Sequence, residues 1–278
     1  MPRRDEGFFA SKDGTRLYWS QVVPDSEPKA WLGFVHGYDD HSGRYTLPFD
    51  FWVSQGFAVM AFDYRGHGRS DGPRGDFNAW SDYLDDLRAF FEKLKAAAGS
   101  KPVFIVSHSN GSLITTHFLA THPEGLKGAV LVSPFYALSM PTPAVKVFAA
   151  KLIKGVLPGL KLANELKPEY LSRDTAWQET SKNDPLRFGT TTPRWFFGTT
   201  AAQEQLQGLG AKVTQPVFMV IGSDDPIVSV PAAKAFFETI ASQDKKLEVN
   251  AGHRHETLME IGREQVWESI SSWISAHC

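Results

Sequence analysis

The feature that most constrains this chain is an alternation of short, nearly continuous apolar runs with longer segments of helical period. The runs are WLGFVHG (31–37), FAVMAFDY (57–64), PVFIVSHS (102–109), LKGAVLVSP (126–134), PVFMVIGS (216–223) and KLEVNAG (246–252). A strand that is apolar on both faces needs cover on both faces, which is the condition of a parallel sheet between helical layers. Helical periodicity marks 78–99, 111–122, 230–241 and 260–277, and parallel neighbours need crossovers of about that length. Residues 7–24 differ. They alternate apolar and polar about Asp13-Gly14, which predicts an antiparallel hairpin at a sheet edge.

From about Phe135 to Val213 the rhythm stops, leaving helical patches such as PAVKVFAAKLIKGVLPGL and polar, proline-punctuated chain with no strand-like run. We read 1–134 and 214–278 as one core domain and 135–213 as a helical cap inserted above the sheet. At 100° per residue, Lys146, Lys151 and Lys154 fall within an arc of roughly 140°, which leaves a wide apolar remainder. That remainder either packs on the main domain or lines an acyl pocket and touches a lipid surface.

Composition narrows the partners. Of 278 residues, 42% are hydrophobic and 22% charged, the profile of a globular protein, and a chain this long can bury a large core. Its 29 basic and 31 acidic residues leave no surplus to neutralise phosphates, so no nucleic acid partner is expected. The only cysteine is Cys278, which excludes an intrachain disulfide and argues against a cysteine nucleophile or a thiolate metal site. The opening MPRRDEGFFASKDG lacks the apolar core of a signal peptide, and no run is long enough to span a bilayer. A cytoplasmic protein is expected, with peripheral membrane contact through the cap as its one link to a membrane. The sequence leaves the oligomeric state open.

The chemistry concentrates in a few segments. In Ile105-Val106-Ser107-His108-Ser109-Asn110-Gly111-Ser112 an apolar strand runs into a small-x-Ser-x-small turn and a helix begins at once. This resembles a nucleophile elbow, which exposes a strained serine at the end of a strand. Ser107 stands where that motif has glycine. An acid follows the next strand but one in Gly222-Ser223-Asp224-Asp225, and histidines follow the last strand in His253-Arg254-His255-Glu256. The order Ser, Asp, His along the chain is that of α/β-hydrolases. A serine hydroxyl needs a neutral imidazole to take its proton and a carboxylate to orient that imidazole. Asp224 or Asp225, and His253 or His255, satisfy that need on these grounds alone.

Acyl transfer also needs two backbone N–H groups aimed at the developing oxyanion. Asn110, after the candidate nucleophile, and Tyr38, after His36-Gly37, are the candidates. The glycine-rich Asp63-Tyr64-Arg65-Gly66-His67-Gly68-Arg69-Ser70 lacks the spacing of a phosphate-binding loop and reads as a structural turn. The nine histidines form no H-E-x-x-H or similar spacing, so neither a metal nor a cofactor is expected.

With these residues in hand, the chain resembles the monoacylglycerol lipase and lysophospholipase group of serine hydrolases. HSGRY at 41–45, DYRGHGRS at 63–70, the elbow at 107–111, GSDD at 222–225 and the H-E-x-L-x-E run at 255–260 follow its patterns in order. The likeness extends into the cap, where VFAAKLIKGVLPGLKL, LSRD and NDPL are similar to that group. It implies an α/β-hydrolase fold with an eight-stranded, mostly parallel sheet flanked by helices, an inserted helical cap, and no cofactor. It also implies register: Ser109 as nucleophile, Asp225 as the acid and His255 as the base, leaving Asp224 as an exposed turn residue and His253 facing solvent. The implied activity is hydrolysis of carboxylic esters, foremost monoacylglycerols or similar single-chain lipid esters. A lysophospholipase, a general short-chain esterase and a noncatalytic ligand-binding protein are the alternatives. Departures are Ser107, Asn110 and the Tyr38-Asp39-Asp40 that follows His36-Gly37.

Overall fold

The computed structural model describes residues 1–140, 142–164 and 166–278. Pro141 and Glu165 of the proposed cap lie outside the described residues, as does the side chain of Lys146 in the predicted lysine arc. In chain order the strands are β1 (Arg3–Ala10), β2 (Arg16–Val23), β3 (Trp31–Val35), β4 (Ala58–Phe62), β5 (Val103–His108), β6 (Leu126–Val132), β7 (Leu162–Ala163), β8 (Thr190–Thr191), β9 (Val217–Gly222) and β10 (Lys245–Asn250). The helices are α1 (Thr46–Ser54), α2 (Ser81–Ala98), α3 (Asn110–Leu119), α4 (Ala144–Val156), α5 (Pro168–Leu171), α6 (Thr175–Lys182), α7 (Pro193–Glu204), α8 (Val230–Thr239) and α9 (Arg263–Ala276).

Eight strands form one sheet in the order β1-β2-β4-β3-β5-β6-β9-β10. Within this sheet, among the described residues, the antiparallel pairs are β1–β2 and β2–β4, so the edge hairpin expected around Asp13-Gly14 is present, beginning at Arg3. The remaining pairs are parallel, as the doubly apolar runs require. Alternate residues of one strand serve opposite cores. On β5, Val103 and Ile105 pack with Leu87 and Phe90 of α2 and Leu113 of α3. Phe104 and Val106 pack on the other face with Trp52 of α1 and Ile270 of α9. Both faces of the central strands β3, β4, β5 and β9 are therefore dry, whereas the edge strands β1 and β10 stay partly exposed, and the C-terminal edge of the sheet is left to carry polar groups.

Four elements, α1, α9, β7 and β8, differ from what the sequence predicts. Periodicity does not mark helix α1, because TLPFDFWVS is apolar around most of its circumference and carries Pro48, which its first turn tolerates. The 260–277 helix begins only at Arg263, after a short turn at Thr257–Met259 and a left-handed Gly262. The interval 135–213 does contain strand: β7 pairs with β8, two residues each, too short for any periodic signal. In that interval α4 turns Val147 and Ala150 toward a cavity above the sheet, while Val145, Phe148, Leu152 and Val156 are exposed on its outer side. Helix α7 buries Trp195 and Ala202 in the main core.

Candidate active site

The site is built where β5, β9 and β10 end. Ser109 follows β5 with φ 52° and ψ −118°, a left-sided backbone conformation that costs a non-glycine residue energy and is held from outside. The Ser109 N–H donates to the Val132 carbonyl at 2.9 Å, and the Ser109 carbonyl accepts from Ser112, Leu113 and Phe135 N–H groups. Gly111 is required here: a Cβ would lie 2.3 Å from the His36 carbonyl oxygen and 2.4 Å from that of Val35. The Ser107 position is roomier. Its hydroxyl lies 3.1 Å from Ser112 Oγ and donates to the Val130 carbonyl at 3.2 Å, which is why serine is accommodated where the motif has glycine.

The turn after β9 brings Asp225 in, and the loop after β10 brings His255. Ser109 Oγ lies 2.9 Å from His255 Nε2, and His255 Nδ1 lies 2.7 Å from Asp225 Oδ2. A proton on Nδ1 facing the carboxylate leaves the Nε2 lone pair for the serine hydroxyl. The other Asp225 oxygen accepts from the Ile227 and Val228 N–H groups at 2.8 and 2.9 Å, which fixes the carboxylate. Burial alone would depress the His255 pKa, but the Asp225 charge and hydrogen bond, aided by Glu256 and Asp40, leave it above the ordinary histidine value.

The rival residues lie elsewhere. Asp224 is exposed and accepts from Ser223 Oγ at 2.6 Å. His253 does not face solvent as expected. It is 8% exposed, and its carbonyl accepts from the Asp224 N–H, because the β9 and β10 turns pack against each other there. A Cβ at Gly222 would meet that same carbonyl at 2.3 Å.

Tyr38 and Asn110 flank Ser109. The loop carrying Tyr38 abuts the elbow so closely that a Gly37 Cβ would lie 3.2 Å from Ser109 Cβ. Among the described residues, neither the Tyr38 nor the Asn110 backbone N–H has an intramolecular acceptor. The turn at 63–70 is structural in its contacts: Asp63 accepts from Ser42 N–H at 2.8 Å and Arg69 N–H at 2.9 Å.

Sequence reasoning missed a buried polar cluster beside the site. Tyr45 donates its hydroxyl to Asp40 at 2.5 Å and lies 3.2 Å from His108 Nδ1 and 3.3 Å from Glu256. Arg44 pairs with Asp40 at 3.2 Å. Burial works against the Asp40 charge, but Arg44 and the nearby histidines hold its carboxyl below the usual range. Burial and the Asp40 charge push Glu256 up instead. Burial, then the neighbouring His255, pushes His108 down to about 3, so it is neutral. Among the described residues, Asp40, His108 and Glu256 are the one trio whose ligand atoms, all within 4.8 Å of one another, are arranged to hold a metal. The Tyr45 hydroxyl lies within hydrogen-bond distance of all three, and Arg44 places a positive charge beside Asp40. The signals were present in HSGRY and in the glutamate after His255, but nothing local says that they meet.

Above these residues lies a cavity of about 710 Å³. Phe135, Leu138, Val147, Trp195, Phe196 and Ile227 make apolar walls, while Asp40, Arg44, Asn164 and Glu256 line a polar part. Ser109 and His255 open into it.

A serine at a strained strand-to-helix turn, on the C-terminal edge of a mainly parallel eight-stranded sheet, defines the class: this is a serine hydrolase of the α/β-hydrolase fold. The chain belongs to the family described as serine aminopeptidase, S33, whose model matches residues 26–262, and within it the chain is monoacylglycerol lipase-like. It is 29% identical to the monoacylglycerol lipase of Mycolicibacterium smegmatis, over 99% of this chain and 98% of that one. Its identity with the monoglyceride lipase of Homo sapiens is 30%, over 99% and 92% of the two chains. The crystal structure of Paleococcus ferrophilus monoacylglycerol lipase superposes with a TM-score of 0.84 at 28% identity, covering 94% of this chain and 99% of that one.

Proposed function

We propose that the protein hydrolyses monoacylglycerols or similar single-chain lipid esters through an acyl-enzyme on Ser109. The observation that carries this is the Ser109–His255–Asp225 relay, at 2.9 and 2.7 Å, at the base of a largely apolar cavity. Ser109 Oγ attacks the ester carbonyl carbon as its proton passes to His255 Nε2, and the carbonyl oxygen becomes an oxyanion facing the Tyr38 and Asn110 N–H groups. Collapse of that intermediate expels the alcohol, which takes the proton from His255. Water then gives its proton to His255 and attacks the acyl carbon; a second collapse restores the serine hydroxyl and releases the fatty acid. Asp225 stays ionised throughout and stabilises the imidazolium.

Residues 135–213 act as the cap in this reading, placing the acyl chain against apolar walls and the alcohol near Asp40 and Arg44. Among the described residues no helix is long and apolar enough to cross a membrane. The exposed stripe Val145, Phe148, Leu152 and Val156, with Lys151 at its edge, suits reversible contact with a lipid surface, where such a substrate resides.

The test is a fluorophosphonate probe followed by peptide mapping, run beside a panel of monoacylglycerols, lysophospholipids and p-nitrophenyl esters of graded chain length. Labelling at Ser109 with turnover highest on the monoacylglycerols is expected. An unlabelled Ser109 would leave the noncatalytic reading, and a maximum on another class would reassign the substrate.

A further inference from the structure

The turn after β4, which the sequence presents as structural, holds a side chain aimed at the neighbourhood of the reacting atoms. Tyr64 is fully buried, stacks on His36 with ring centres 4.2 Å apart and 14° between planes, and meets Tyr83 edge-on at 4.9 Å. Its hydroxyl donates to the Gly37 carbonyl oxygen at 2.5 Å. That carbonyl also accepts from His36 Nδ1 at 2.7 Å, so both of its lone pairs are used. The same hydroxyl accepts from Asn110 Nδ2 at 3.3 Å.

The Gly37 carbonyl and the Tyr38 N–H belong to one peptide group. In a trans peptide they point in opposite directions within one plane, so fixing the oxygen fixes the hydrogen. A hydrogen bond accepted by the carbonyl also polarises the group and strengthens its N–H as a donor. We propose that Tyr64 is a positioning residue for the oxyanion hole, holding the Gly37–Tyr38 peptide so that the Tyr38 N–H faces the oxyanion. This rests on the reading of Tyr38 and Asn110 as the oxyanion donors. The single hydroxyl spans the residues that carry both donors, because Asn110 supplies one N–H from its backbone and reaches Tyr64 with its side chain. Burial raises the Tyr64 pKa well above the ordinary tyrosine value, so the hydroxyl keeps its proton at every working pH.

Tyr64→Phe removes only the hydroxyl and leaves the ring packing. Two ketones of equal alkyl chain length separate the possible roles. A trifluoromethyl ketone adds to Ser109 and places an oxyanion in the hole, whereas the methyl ketone binds only as a ground-state ligand. The expected result is a fall of about tenfold in kcat/KM for p-nitrophenyl butyrate, short of the hundred- to thousand-fold loss seen when a donor is deleted outright. Trifluoromethyl ketone affinity should fall by the same factor and methyl ketone affinity should not change. Unchanged trifluoromethyl ketone affinity, or an equal fall for both ketones, would overturn the proposal and leave Tyr64 a packing residue. Should the phenylalanine variant fail to fold, 3-fluorotyrosine incorporated in place of Tyr64 keeps the ring and strengthens the donor. Trifluoromethyl ketone affinity should then rise at least twofold, and no change would overturn the proposal. A wild-type protein that neither labels at Ser109 nor binds the trifluoromethyl ketone more tightly than the methyl ketone would sink the catalytic reading instead.

Discussion

Asp39 and Arg187 are 148 residues apart in sequence and 2.9 Å apart in space. Asp39 neighbours Tyr38 and has φ 56°, and its buried carboxylate is wholly committed to the 164–189 region. One oxygen accepts from the Phe188 and Gly189 N–H groups at 2.7 and 3.0 Å, and the other from Arg187 and from Asn164 Nδ2. Asp39→Asn places an amide among four donors. Removing one partner of a buried ion pair costs about 3 to 5 kcal/mol. The variant should unfold at lower urea concentration and be cut by protease within 183–191 before the rest of the chain, as read by mass spectrometry of the first fragments.

His255→Ala should be nearly inactive, because the serine then has no base. His253→Ala should keep activity within tenfold of wild type: His253 is buried and linked to Asp224 through its carbonyl, which alanine retains. Initial rates on p-nitrophenyl butyrate decide between them, and the reverse ranking would move the base by two residues.

The pH profile follows from the sign of the His255 shift. Only neutral imidazole accepts the serine proton, so activity is lost as pH falls through the His255 pKa. That value is raised, chiefly by Asp225 against the effect of burial, so the acid limb should lie above the ordinary histidine value. Asp225→Asn removes the main raising influence and leaves burial to act. Its residual activity, reduced by about 10⁴ when the wrong tautomer is favoured, should show an acid limb moved to lower pH. A limb left in place would mean that another group titrates.

The two small positions of the elbow should respond differently. Gly111→Ala forces a Cβ to within 2.4 Å of two backbone carbonyl oxygens, which cannot swing aside. A displacement of about 1 Å at a reacting group can cost ~100-fold in rate, and overpacking adds about 1 to 3 kcal/mol of destabilisation. Ser107→Gly loses contacts to Ser112 and the Val130 carbonyl and should retain most activity with a modestly lower Tm. Calorimetry and turnover measured on both variants test the contrast.

Much of this molecule was legible in one dimension. Apolar runs such as PVFIVSHS predict strands covered on both faces, and β5 buries Val103 and Phe104 in opposite cores as that pattern demands. The apolar helix α1 and the two-residue β7 and β8 escaped, since one lacks an amphipathic period and the others are shorter than any period. At the site, motif and chain order name Ser109 and leave Asp224 or Asp225 and His253 or His255 as its partners, and the family resemblance implies Asp225 and His255 among them, but proximity was not in any of these. Parallel pairing of β9 with β10 and of β5 with β6 places the loops after them on one edge, and only there does a 2.9 Å contact between residues 109 and 255 arise.

The sequence by itself determined what repeats locally: the layered α/β architecture, through periodicity, and the residue types that a strained elbow and its partners require. Tertiary structure alone decided the contacts made by side chains whose neighbours in sequence say nothing of their neighbours in space. It turned His253 inward, tied Asp39 to Arg187, gathered Asp40, Tyr45, His108 and Glu256, and laid the Tyr64 hydroxyl on the Gly37 carbonyl. The physical reason is that a buried polar group must find a partner wherever the fold places one, and the fold brings those partners from distant parts of the chain.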